Sequence, residues 1–266
     1  MAITGAAHVG VTSASIPSLG IGGFLDVAQR AGELGYGSFW VAETTGTEAF
    51  ATLAAAGAAQ PGIGLGTGVL ALPLRTPMVT AMGAATLQAL HPEADVLLGV
   101  GISSPVVVGK WHGVAYPSRP LAQTREYLEL LQLCLSGESV TYEGEHYRCS
   151  RFKLGVRLGE KRPKVILGAL GPKMLALGGE LADGVVLNYL PAASVPWSVE
   201  QVRRGGDATI YAYVHVGVCD RDDAMEPARR DLFSYAVVDA YAAGFERAGF
   251  GAEVAAIRER HAAGDR

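Results

Sequence analysis

The sequence predicts an α/β barrel of the (β/α)8 TIM-barrel type, with the eighth strand missing from this chain. Three observations carry that prediction. Short apolar runs alternate with stretches of helical spacing along the chain, which excludes an all-β fold and favours a parallel sheet. Several of those runs are continuously apolar, as strands buried on both faces are. A chain of 266 residues has the length of one such barrel, and its seven alternating units show no reversal of order that would mark a doubly wound sheet. The expectation is one domain over residues 1–266, with an excursion at about 137–162.

Taken in order, Val9 to Ala14 reads as the first strand. Phe24 to Leu34 repeats apolar residues at 24, 27, 28, 31 and 34, a helical spacing, and Gly35-Tyr36-Gly37 stops it. Ser38 to Glu43 is the second strand, Glu48 to Ala59 an alanine-rich helix, and Ile63 to Leu72 a third strand laced with glycine. Thr76 caps a helix with Pro77 in its first turn, running to about Leu90. Asp95 to Ile102 is the fourth strand. A long connection with Trp111 and His112 follows, and Ser118-Arg119-Pro120 opens a helix ending near Leu135 and Gly137.

From Ser139 to Arg162 the alternation breaks, and Val140 to Tyr147 reads as a small hairpin turning at Gly144. Val165 to Ala169 is then a buried strand, Gly171 turns the chain, Pro172 opens a helix to about Ala182, and Asp183-Gly184 leads into the strand Val185 to Asn188. This is one βαβ unit. Val195 to Arg204 is a helix, Ile210 to Cys219 a seventh strand, Asp222 to about Gly249 a long helix, and Ala252 to Ala262 another. No eighth apolar strand follows: the chain is expected to be either a truncated piece or a shortened barrel with an open seam between strands seven and one, whose two edges a partner copy would cover, as in a homodimer.

Composition narrows the function. The apolar share is 49% and the charged share 18%, enough for a large core. A net charge of −4 without a run of Lys or Arg argues against nucleic acid or an anionic membrane as the main partner. No apolar run approaches the roughly 18 residues that cross a bilayer. Three scattered cysteines, Cys134, Cys149 and Cys219, give no zinc spacing and fit a reducing compartment; the expectation is a cytoplasmic enzyme with a small-molecule substrate and no metal.

Ligands of such sheets bind at the carboxyl ends of the strands. That rule selects Ser13 to Ser15, Glu43 to Thr45, Thr67 to Leu70, Gly101 to Ser104, Gly168 to Lys173, Asn188 and Cys219 to Asp220. The turn after Ala169 lies at a helix amino end, where free N–H groups and the helix dipole favour an anion such as phosphate, and Lys173 adds positive charge. A tight connection without a ligand is the competing reading. There is no H-E-x-x-H, G-K-[ST] or G-x-S-x-G, and Val69 and Ser104 stand where a dinucleotide fingerprint wants its third glycine. Trp111 and His112 are candidates for a substrate mouth, Asn188 for a further substrate contact, and the remaining histidines read as structural.

Leu167 to Leu175 (L-G-A-L-G-P-K-M-L) with Ala182 to Asn188, Leu98 to Gly113 and Ile63 to Val69 together resemble the bacterial luciferase-like superfamily, in the branch that uses the deazaflavin coenzyme F420. The similarity runs from about Val9 to Arg260. The resemblance implies a luciferase-like barrel whose top face holds a flat flavin or deazaflavin ring. It assigns the coenzyme's phosphate to Gly168, Ala169, Leu170, Gly171, Pro172, Lys173 and Met174. It places the ring against a strand-three bulge, Thr67-Gly68-Val69, with a non-proline cis peptide at Gly68–Val69, and gives Ser103 and Ser104 coenzyme contacts. Glu43 matches an acidic position near the ring and is the candidate catalytic residue, with capping of the next helix as its alternative. Thr44-Thr45 stands where relatives often carry histidine, so the usual imidazole is absent there. Phe39, Trp40, Val69 and Leu70 are expected as apolar walls. The expected activity is hydride transfer between F420 and a small organic substrate; the alternatives are an FMN monooxygenase fed reduced flavin by a partner, and a non-catalytic coenzyme binder.

Overall fold

The computed structural model describes residues 8–12 and 16–264. The chain divides into two units, one of Met1–Gly168 with Leu181–Asp183, the other of Ala169–Glu180 with Gly184–Arg266.

The first unit begins with β1 (Gly10–Thr12), α1 (Ile16–Glu33), β2 (Ser38–Val41), α2 (Ala49–Ala59), β3 (Gly64–Thr67), β4 (Leu70–Ala71) and α3 (Pro77–Leu90). It continues with β5 (Val96–Gly101), α4 (Pro120–Leu135), the hairpin strands β6 (Val140–Glu143) and β7 (Arg148–Phe152), and β8 (Lys164–Gly168). Strands β1, β2, β3, β5 and β8 lie side by side in that order, all parallel, with β4 also paired to β5. Sheet order thus follows chain order, as a barrel requires and a doubly wound sheet does not.

Local chemistry explains the element ends. Glu48 caps α2 by accepting from the Ala51 N–H at 2.7 Å, and Thr76 caps α3 by accepting from Val79 N–H at 3.3 Å with Pro77 next. Asp183 accepts from Val165 N–H at 2.7 Å and so ties down the start of β8. The hairpin is fastened by one carboxylate: Glu126 on α4 accepts N–H groups of Glu145, His146 and Tyr147 at 3.1, 2.8 and 3.3 Å.

The second unit contains α5 (Pro172–Leu181), β9 (Gly184–Leu187), α6 (Val195–Arg203), β10 (Thr209–Ala212), α7 (Arg221–Ala236), α8 (Asp239–Arg247) and α9 (Gly251–Ala262). Strand β10 pairs parallel with β9, Thr209 opposite Gly184. The turn after α6 approaches α5 so closely that a Cβ on Gly205 would sit 1.8 Å from the Ala176 carbonyl oxygen. Ala236, Ala242, Phe245 and Val254 form a small core under α7, α8 and α9, with Tyr189, Tyr241 and Ile257 against it. No helix among the described residues is long and apolar enough to cross a membrane.

Several sequence expectations need correction. The third strand breaks at Gly68 and Val69 into β3 and β4. The seventh strand ends at Ala212 rather than Cys219, and Val214, Val216 and Val218 beyond it are 77%, 76% and 99% exposed, so their alternation faces solvent. The long helix is two, interrupted at Val237 and Val238, and the connection after β5 contains a helical turn at Val106–Trp111. Helix α1 starts at Ile16, well before Phe24, with a break at Gly20 where φ is +66°. Ser13, Ala14 and Ser15 lie outside the described residues.

Burial pushes the Glu126 carboxyl upward, but the three amide donors outweigh it and leave it below the usual carboxylate range. A depressed carboxylate adds stability above its unfolded pKa and loses it as pH falls through the folded value. Hydrogen exchange at amides 145–147, corrected for intrinsic rate, is therefore expected to rise below about pH 4 and not on the alkaline side. In Glu126→Gln the same amides should exchange fast already at neutral pH.

Candidate functional site

Three strand ends of the first unit carry candidate residues. The Gly68–Val69 peptide bond is cis, as the resemblance implies, and both residues are half-buried. The chain around it is held by glycine. A Cβ on Gly99 would lie 2.0 Å from the Thr67 carbonyl oxygen, and one on Gly101 would lie 2.9 Å from a Val69 methyl. The Val69 side chain also approaches Gly168, the residue from which the next turn departs. Thr67 is 1% exposed and donates its hydroxyl to the Gly99 carbonyl at 2.7 Å, so its side chain fastens β3 to β5.

After β5, Ser103 takes a positive φ of +60°, and its hydroxyl has no partner among the described residues. The Ser104 hydroxyl accepts from Val107 N–H at 3.2 Å and starts the helical turn that follows. The Tyr116 hydroxyl donates to the Ser103 carbonyl at 3.3 Å.

After β2, Glu43 is not a free acid. Its carboxylate accepts from Arg75 Nη2 at 3.0 Å and Nε at 3.2 Å, and from Ala49 N–H at 3.2 Å, with 15% of its side chain exposed. Arg75 also pairs with Glu48 and lies over the Phe50 ring at 5.4 Å. Of the two weighed roles for Glu43, the geometry displays the capping one. His112 reaches the same strand end, its Nε2 2.7 Å from the Thr44 carbonyl oxygen, while Trp111 is 55% exposed. Two expected walls are elsewhere: Phe39 is fully buried edge-on to Phe24, their ring centroids 4.9 Å apart, and Leu70 is also fully buried. Trp40 lies over glycines 10 and 66 and donates to Ser38 Oγ at 2.8 Å.

In the second unit the turn is open. Gly171 is half-exposed, Pro172 and Lys173 are exposed, and nothing lies within 4 Å of a Cβ built on Gly171. The first-turn amides of Lys173 and Met174 have no acceptor among the described residues, which is the arrangement an anion would complete. Ala169 donates to the Val186 carbonyl at 3.3 Å, and the Leu170 carbonyl accepts from Arg247 Nη2 at 3.2 Å. A cavity of about 380 Å³ adjoins this turn, lined by Ala169, Leu170, Tyr189, Trp197, Tyr241 and Arg247 among others. Asn188 donates to the Tyr241 hydroxyl at 3.1 Å, and its Oδ1 is 3.3 Å from His215 Nε2. His215 thus stands past the end of β10 rather than inside a strand. Burial pushes the Tyr241 phenol up to about 12, so it keeps its proton at neutral pH.

Arg75, Tyr116, Trp197, Tyr241 and Arg247 were not singled out from sequence. Arg75 had a visible signal, a lone cation just before the Thr76-Pro77 cap; the others sit on helices or in a loop whose facing only the fold decides.

Parallel strands in chain order with helices between them, and a third strand broken by a cis peptide between β3 and β4, define an α/β fold of the barrel type. A model of the luciferase-like monooxygenase family matches residues 3–266, and the chain belongs to that family. It is 36% identical over 171 residues to a Mycobacterium tuberculosis protein provisionally named a coenzyme F420-dependent oxidoreductase, covering 60% of this chain and 49% of that one. It is 32% identical over 194 residues to the F420-dependent glucose-6-phosphate dehydrogenase of Nakamurella multipartita, 68% of this chain and 56% of that one. The chain thus spans about half the length of these relatives. The solved coenzyme F420-dependent tetrahydromethanopterin reductase of Methanopyrus kandleri shares the fold, with a TM-score of 0.72 over 86% of this chain and 71% of that one, at 20% identity.

The glycine packing under the bulge is testable. Gly99→Ala should destabilise the protein by about 1–3 kcal/mol or more, because backbone cannot yield to the added methyl. Thr67→Val, which removes one buried hydrogen bond, should cost about 1 kcal/mol. Urea denaturation followed by circular dichroism would measure both, and equal stabilities for Gly99→Ala and wild type would contradict the packing described.

Proposed function

We propose that the chain is an oxidoreductase transferring a hydride between the reduced deazaflavin coenzyme F420 and a small organic substrate. The observation that carries this is its kinship with relatives named F420-dependent, at 36% and 32% identity. The residues present fit such a coenzyme. The unpartnered amides of Lys173 and Met174, with Gly171 leaving open space and the Lys173 charge beside them, would hold its phosphate. In the first unit, taken by itself, the half-exposed Gly68–Val69 backbone and the Ser103 hydroxyl, which has no partner among the described residues, are the groups that the resemblance gives to a coenzyme ring.

When bound, the coenzyme supplies the hydride chemistry, which leaves binding, orientation and exclusion of water to the protein. In this reading Ser104 orients Ser103 by starting the turn behind it, and Thr67 fixes the bulge. Glu43 positions Arg75 and α2 rather than moving a proton. His112, Trp111 and Asn188 are assigned to the substrate. The matched family's description as monooxygenases favours a second reading, an FMN-dependent monooxygenase supplied with reduced flavin.

Titration of the purified protein with F420 and separately with FMN, followed by fluorescence, decides between the two. Micromolar affinity for F420 alone supports the proposal, and preference for FMN replaces it. Oxidation of reduced F420 by any organic acceptor then separates an enzyme from a silent binder. Lys173→Ala should weaken F420 binding several-fold, since an exposed charge is worth about 0.5–1 kcal/mol, with a smaller effect at high salt. An unchanged Kd at low salt would remove Lys173 from the site.

A further inference from the structure

The second unit's cavity has a chemistry that the coenzyme ring and its phosphate do not account for. Arg247, near the end of α8, is held in place from two sides: its guanidinium stacks 4.8 Å from the centroid of the Trp197 ring, and one Nη2–H goes to the Leu170 carbonyl. Gly244 leaves room beside it, the Cβ it lacks falling 3.8 Å from Nη2. No carboxylate among the described residues pairs with Arg247. A guanidinium has five N–H donors, so most of this one's are unclaimed at the wall of the cavity. Of the residues that line the cavity, none is acidic and no other is cationic. The rest of the wall is aliphatic or aromatic, with two serines and the hydroxyls of Tyr241 and Tyr189 as neutral polar groups, the last donating to Asp231 at 2.5 Å.

We infer that this cavity binds a small organic acid, its carboxylate on Arg247 and its flat apolar body against Trp197 and Tyr241. One cation and no second basic group match a monoanion better than a doubly charged phosphate. The planar fork of the guanidinium matches a carboxylate in two parallel hydrogen bonds. A volume of about 380 Å³ is at the lower end of ligand pockets and suits a single-ring acid. The inference stands independently of the coenzyme reading: the acid is a ligand separate from the coenzyme.

Trp197 lies in the cavity and reports on it. Benzoate is expected to quench tryptophan fluorescence saturably, and the neutral isostere benzamide to bind at least about tenfold more weakly. Arg247→Gln should raise the benzoate Kd about tenfold or more while leaving benzamide unchanged. Ala240→Phe, which fills the cavity and retains the guanidinium, should abolish benzoate binding, with thermal melts confirming that both variants fold. Equal affinity for benzoate and benzamide, or wild-type benzoate affinity in both variants, overturns the inference. Competition tests the separateness: simultaneous binding of benzoate and F420 supports a distinct acid, and displacement of benzoate by F420, with weakened F420 binding in Arg247→Gln, overturns it. Benzoate binding in a wild-type protein that ignores F420 would leave this site standing and remove the coenzyme reading.

Discussion

The first unit depends on the absence of side chains where β3, β5 and the end of β8 meet. Gly99 and Gly101 leave the space into which the Thr67 carbonyl and the Val69 side chain fit, and Gly168 borders the same place. Protein interiors are packed densely enough that one added methyl against backbone forces a shift. The Thr67 hydroxyl closes the contact from the other side by bonding the Gly99 carbonyl. The two features constrain each other: the bulge requires glycines on its neighbour, and the neighbour's carbonyl fixes the strand that carries the bulge.

A second regularity concerns which polar groups are already satisfied. Buried and half-buried polar groups in native proteins are nearly all hydrogen-bonded. Glu43 is engaged by Arg75 and Ala49, Ser104 by Val107, and Asn188 by Tyr241 and His215. Among the described residues the unclaimed donors are therefore few: the Ser103 hydroxyl and the first-turn amides of α5 at the strand ends, and most of the Arg247 fork on α8. Bonding capacity left over at such positions indicates where a ligand fits better than the residue types alone do, because Glu43 looks catalytic until its partners are counted.

That distinction also separates what was legible in the sequence from what was not. The order of strands and helices through β9 was legible because each boundary carries local chemistry, such as Thr76-Pro77 or the glycine at 171. The hairpin and the cis bond at Gly68–Val69 were legible for different reasons, the first from its turn glycine and the second only from family resemblance. Residues 213–219 were misread because alternating valines signal one buried face only if something covers that face, and here they face solvent. Phe39 was misassigned because the apolar stripe of the first helix is visible in sequence but its packing of Phe24 against Phe39 is not. The side chains of α6 and α8 that line the cavity were invisible for the same reason: a helix declares its apolar stripe in sequence, but not what lies opposite it.

Charge placement adds one more step. The net charge is −4, so the field of the whole chain repels rather than gathers anions, and recognition of an anionic ligand must be local. In the first unit the arginine nearest the candidate strand ends is neutralised, Arg75 lying between two glutamates. In the second unit Lys173 and Arg247 have no carboxylate partner among the described residues, and the free helix amides lie beside Lys173. Within the second unit, taken by itself, an acidic group would thus find its donors in the first-turn amides of α5, Lys173 and Arg247, and not in the field of the chain as a whole.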